Sequence, residues 1–132
     1  MIGTPLHVIS KLSPTFALQV LRLYNGGVDG QLLKQPTIRQ LIALDIAEAF
    51  RQGPAGAAHE MVLYVRPWGF DLQKIKTPIT LWHGDCDAIV PLEHSYYLHS
   101  HLADAKLTII PGEAHFSLPI RQADTILRSL VK

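Results

Sequence analysis

The chain has 132 residues, of which 48% are hydrophobic and 17% charged, a balance that excludes intrinsic disorder and is enough for one core-bearing fold. Twelve Lys+Arg against eleven Asp+Glu leave a net charge of +1 with the basic residues scattered, which excludes a nucleic-acid footprint and a polybasic membrane patch. The single cysteine forms no internal disulfide, and no signal-peptide pattern opens the chain. The apolar runs fall far short of the roughly 18 residues that cross a bilayer, so the expectation is a soluble, cytoplasmic protein acting on a small, mostly apolar molecule.

In chain order, the first predicted element is a helix over Pro14–Tyr24. Phe16, Leu18, Val20, Leu21, Leu23 and Tyr24 cover most of its surface, and Asn25-Gly26-Gly27 supplies residues that end helices. A second helix follows Pro36, with Ile38, Leu41, Ile42, Ile46, Ala49 and Phe50 at helical spacing and Gly53 as its stop. A third runs from Pro54 toward Val65, carrying Ala58, Met61, Val62 and Val65 on one face and ending before Pro67. These three amphipathic helices form a helical layer over residues 1–66, and the periodicity changes at Arg66-Pro67-Trp68-Gly69-Phe70.

Beyond that boundary, Pro78–Trp82 and Lys106–Ile110 are short, rich in β-branched residues and bracketed by turn formers, so both read as strands. A helix opened by Pro91 and running to about Leu102 lies between them, with Leu92, Tyr96, His99 and Leu102 as its inner stripe. Strand, helix and strand predict a parallel βαβ unit. A last helix from Pro119 to Val131 places Ile120, Ala123, Ile126, Leu127 and Leu130 on one face. A lone parallel pair leaves ladder groups unpaired on both edges. The sheet is therefore expected to join strands from a partner chain, to pair with itself as a homo-oligomer, or to be part of a longer protein.

Two residues carry the chemistry. Asp87 lies just past the carboxyl end of the first strand, between Gly84 and the helix opened by Pro91, where open α/β sheets build ligand sites. His115 follows the second strand and so reaches the same rim. An Asp accepting from an imidazole Nδ1–H fixes the tautomer, stabilises the imidazolium and leaves Nε2 to shuttle a proton. His94 and His101 share a helix face but stand two turns, or roughly 10 Å, apart, which argues against a metal site. Cys86 adjoins the acid on one loop and is poorly placed to reach the far face of His115. Trp68, Phe70 and Trp82 are pocket or core candidates, with core favoured for Trp82.

The segments Trp68-Gly69-Phe70-Asp71-Leu72, Thr77-Pro78-Ile79-Thr80-Leu81-Trp82-His83-Gly84, Asp87-Ala88-Ile89-Val90-Pro91 and Gly112-Glu113-Ala114-His115 closely resemble the C-terminal portion of α/β-hydrolase fold proteins. The resemblance implies an α/β fold class, a partial α/β-hydrolase fold in which a helical cap (1–66) precedes a parallel βαβα unit from the C-terminal part of the core (67–132). Asp87 is then the triad acid, His115 the triad base, and the two strands the seventh and eighth of the family sheet. The resemblance implies no cofactor. Phe16, Leu21, Tyr24, Met61 and Tyr64 of the cap are candidates for shaping the substrate pocket.

The chain departs from the family by lacking the G-x-S-x-G nucleophile elbow and the oxyanion loop before it. Ser10, Ser13, Ser95, Ser100, Ser117 and Ser129 all lack flanking glycines. The expectation is the C-terminal part of a serine-hydrolase-type, esterase-like acyl hydrolase. It takes a small apolar ester-like substrate when completed by an upstream serine and is inactive alone. Family members with an aspartate nucleophile, acting on epoxides or carbon–halogen bonds, are not excluded. The alternative of another class is a non-catalytic truncated fragment, or a binding module that self-associates through its sheet edge.

Overall fold

A computed structural model of the protein describes residues 26–131 except Pro54. The helix expected over Pro14–Tyr24 lies outside the described residues, as do the cap residues Phe16, Leu21 and Tyr24. The fold is mixed α/β with a parallel two-stranded sheet, and the chain divides into two compact units.

In the first unit the described residues run over 33–69. Helix α2 spans Pro36–Ala49 with proline in its first turn, where the missing N–H is no loss. It ends as the Phe50 N–H donates to the Ile46 carbonyl at 3.1 Å, and Gly53, at φ +96°, turns the chain away. Helix α3 spans Ala55–Tyr64. The apolar face predicted for it is not buried, since Met61, Val62 and Val65 are exposed together with Leu63 and Tyr64. In α2 only Ile42 is buried, while Leu41 and Leu44 are exposed. Helical periodicity predicted both helices and overstated what their faces cover.

In the second unit the described residues run over 26–32 and 70–131. Helix α1, Gly27–Leu32, is absent from the sequence expectation, because Gly-Val-Asp-Gly shows no apolar period and Gly27 reads as part of a helix stop. A short 3-10 turn over Leu72–Lys74 is capped by Asp71, whose carboxylate accepts from the Gln73 N–H at 3.0 Å. Strand β1, Ile79–Gly84, pairs in parallel with β2, Ala105–Ile110, in a register running from Ile79↔Ala105 to Gly84↔Ile110. Helix α4, Leu92–His101, joins the strands and packs on both.

The stripe that α4 turns inward differs from the expected one. Ser95 is buried and Leu92, Leu98 and Leu102 are half-buried, whereas Tyr96 and His99 are exposed. The cause is polar: the Ser95 hydroxyl lies 2.7 Å from Nδ1 of buried His83, and that bond sets the rotation of the helix on the sheet. The single helix expected over Pro119–Val131 is two, α5 (Ser117–Arg121) and α6 (Ala123–Ser129), broken at Gln122, whose ψ of 9° is non-helical. Leu127 and Leu130 are exposed. Helix α1 packs against α5. The buried core and polar residues of this unit, Leu32, Asp29, His83, Ser95, Glu113, Ala114, Ser117 and Leu118, come from α1, the carboxyl end of β1, α4, and the loop and helix that follow β2. Five of these eight residues, Asp29, His83, Ser95, Glu113 and Ser117, are polar, which points to a hydrogen-bonded network rather than apolar packing alone.

Candidate functional site

The loops leaving β1 and β2 meet at Gly84. A Cβ at this position would collide with the carbonyl group of Glu113 and stand 2.8 Å from the Ala114 nitrogen, so only glycine lets the two loops touch. Three backbone donors stitch the contact. The Cys86 N–H reaches the Glu113 carbonyl at 2.9 Å, the Asp85 N–H reaches the Ile110 carbonyl at 3.3 Å, and the Gly112 N–H reaches the Asp85 carboxylate at 2.7 Å. Gly112, at φ +73°, makes the left-handed turn that returns the chain toward the rim.

Asp87 is held by its own neighbours. Its N–H donates to the Gly84 carbonyl at 3.1 Å, and its Oδ1 accepts from the N–H groups of Ile89 at 2.8 Å and Val90 at 2.9 Å. The carboxylate, 7% exposed, thereby has one oxygen committed to the loop and the other, Oδ2, aimed at Nδ1 of His115 at 3.0 Å. Burial pushes the carboxyl pKa up, but the Val90 and Ile89 donors and the His115 ring together hold it below its ordinary value of 3.8. Asp87 is therefore ionised across the neutral range.

A carboxylate oxygen only accepts here, so the hydrogen bond assigns a proton to Nδ1 of His115, and in the neutral ring the lone pair is then on Nε2. Among the described residues no hydrogen-bond partner occupies that Nε2, and the side chain is 38% exposed. The ring also meets Phe116 edge to face, with centroids 5.3 Å apart. The arrangement can orient an imidazole, stabilise its positive charge and present a basic nitrogen to a ligand.

The loop carrying His115 is anchored by a residue far away in sequence. Asp29 of α1, 3% exposed, accepts from the Phe116 N–H through Oδ2 at 3.0 Å and from the Ser117 N–H through Oδ1 at 2.9 Å. Ser117, fully buried, accepts from the Ala114 N–H at 2.7 Å. The backbone on both sides of His115 is thus pinned, and α5 receives an acidic cap at its amino end. Sequence reading missed Asp29, because nothing near it marks a partner 87 residues downstream.

The remaining candidates lie as follows. Cys86 is exposed, and its thiol donates to Asp85 at 3.3 Å. That hydrogen bond to a neighbouring acid, aided by desolvation and charge repulsion, raises its pKa and so disfavours the thiolate. The four described serines bond elsewhere: Ser95 to His83, Ser100 to the Tyr97 carbonyl, Ser117 to Ala114 and Ser129 to the Ile126 carbonyl. Ser10 and Ser13 lie outside the described residues. Nδ1 of His101 donates to the Tyr97 carbonyl at 2.8 Å. Among the described residues no group of three or more His, Cys, Asp or Glu side chains could hold a metal ion, and no helix is long and apolar enough to cross a membrane. Trp82 is half-buried, while Trp68 and Phe70 are exposed. No protein family, curated protein or solved structure matches the chain.

Proposed function

We propose that this chain supplies the acid and the general base of a serine-hydrolase-type enzyme, an esterase-like acyl hydrolase of partial α/β-hydrolase fold. The observation that carries the reading is the 3.0 Å bond from His115 Nδ1–H to a carboxylate that also accepts two backbone N–H groups. Such a carboxylate fixes the imidazole in the Nδ1–H tautomer and leaves Nε2 facing outward. In this reading Nε2 takes the proton of an attacking hydroxyl, the imidazolium is stabilised by Asp87, and the proton passes to the leaving alcohol. A second cycle on water releases the acyl group. The chemistry requires no cofactor.

The serine belongs to a segment outside these 132 residues, because no serine among them stands in a nucleophile-elbow context. The two-stranded sheet supports the same view, since among the described residues β1 and β2 leave ladder groups that further parallel strands would satisfy. The substrate is a small apolar ester. The chain by itself is expected to give no turnover of short-chain nitrophenyl esters. The coding sequence upstream of its first codon is expected to contain, in frame, a strand followed by G-x-S-x-G. Turnover by the chain alone that His115→Ala abolishes, or an upstream frame of unrelated sequence, would count against this assignment. The latter result would favour a non-catalytic module that pairs through its sheet edge.

A further inference from the structure

His83 is a buried titratable group that the acid–base step does not use. Its side chain is 7% exposed and both ring nitrogens are engaged. Nε2 stands 3.1 Å from the Val90 carbonyl oxygen, and since a carbonyl only accepts, this nitrogen carries a proton. In the neutral ring Nδ1 then accepts from the Ser95 hydroxyl at 2.7 Å. The Val90 residue fixed in this way uses its own N–H to reach Oδ1 of Asp87 at 2.9 Å. A continuous set of contacts thus runs from Ser95 on α4, through His83 at the end of β1 and Val90, to Asp87, and from Oδ2 of Asp87 to His115. The Nε2 of His83 also lies 3.9 Å from that same Oδ2, too far for a hydrogen bond.

We propose that His83, oriented by Ser95, is a positioning residue that aims the Asp87 carboxylate at His115 by holding Val90 from its carbonyl side. The inference rests on the assignment of Asp87 and His115 as acid and base. The physical need is specific. The turn from Asp87 to Val90 is short and faces the rim, and its two N–H donors stay aligned on Oδ1 only if the Val90 peptide units are fixed. An imidazole meets that need with one donor and one acceptor on opposite sides of a rigid ring, linking helix, strand and loop where no water is required to complete the set. Removing either partner leaves a buried polar atom unsatisfied and frees the turn.

The test is the tautomer of His115, read by long-range 1H–15N correlation on the full chain at a pH where the ring is neutral. In the wild type the Nδ1–H form is expected to dominate. Ser95→Ala should lower the ratio of Nδ1–H to Nε2–H about threefold or more, the scale of one modest hydrogen bond lost from the relay. His83→Ala should lower it further. His83→Gln, which keeps a donor for the Val90 carbonyl, should restore most of the ratio. An unchanged ratio in Ser95→Ala overturns the proposal even if His83→Ala fails to fold, and so does a His83→Gln variant as low as His83→Ala. A protein without esterase activity leaves these ratios as expected, so failure of the hydrolase reading and failure of this inference appear in different measurements.

Discussion

The two loops that form the site reach the same rim by opposite means. The acid loop is built from its own neighbourhood: Gly84, Ile89 and Val90, all within three residues, supply the hydrogen bonds that shape the Asp87 turn. The histidine loop is held from a distance, by Asp29 on a helix that precedes the whole sheet in sequence. The Asp87 turn takes its shape from near neighbours and is braced at Val90 by His83 and Ser95. A remotely held loop takes its form only after α1 has closed onto it, so the histidine's position depends on long-range closure more than the Asp87 turn does.

The largest effect is expected from the side of the pair that is built locally. Asp87→Asn retains an oxygen for Ile89 and Val90 but weakens the tautomer lock. In the protein translated with its upstream frame it should lower kcat/KM for nitrophenyl esters about 10⁴-fold while leaving stability close to wild type. Asp29→Ala acts on the remote anchor. It strips one buried and one part-buried N–H group of their acceptor and should cost about 2–4 kcal/mol in denaturant unfolding. Amide protection should be lost at Phe116 and Ser117 and kept at Ile89 and Val90. Equal loss at both pairs would erase the distinction between the loops.

Gly84→Ala disturbs the place where the two loops touch. The clash with the Glu113 backbone should cost about 1–3 kcal/mol and shift the resonances of both Asp87 and His115. The smallest effect is a pH dependence. Because folding lowers the Asp87 pKa, the unfolded state binds the proton more tightly. The stability that Asp87 contributes is therefore complete well above 3.8 and is lost as pH falls through 3.8 and below. Acid unfolding curves of Asp87→Asn should be flatter than those of wild type in that window and parallel to them near neutrality.

The same contrast explains what could be read in the sequence. Asp87 and His115 were legible because each follows a short β-branched run, and parallel strands place their carboxyl ends on one rim; the 3.0 Å contact agrees with that placement. The strands and helices α2, α3 and α4 were legible from periodicity and from Pro36, Pro67 and Pro91. Asp29 was not, because a cap supplied across 87 residues leaves no local mark. Nor was the rotation of α4, where the apolar stripe pointed to Tyr96 and a buried serine–histidine bond selected Ser95 instead. The overstated faces of α3 and α6 share one cause: periodicity shows which residues can face a partner, not whether one covers them.

The measurement that bears most directly on the proposed function is covalent labelling by a fluorophosphonate of the protein translated with its upstream frame. With His115 in place, a serine in that upstream segment should label rapidly, and His115→Ala should slow labelling by several orders of magnitude. Labelling that proceeds equally in wild type and His115→Ala would contradict the assignment of His115 as the general base.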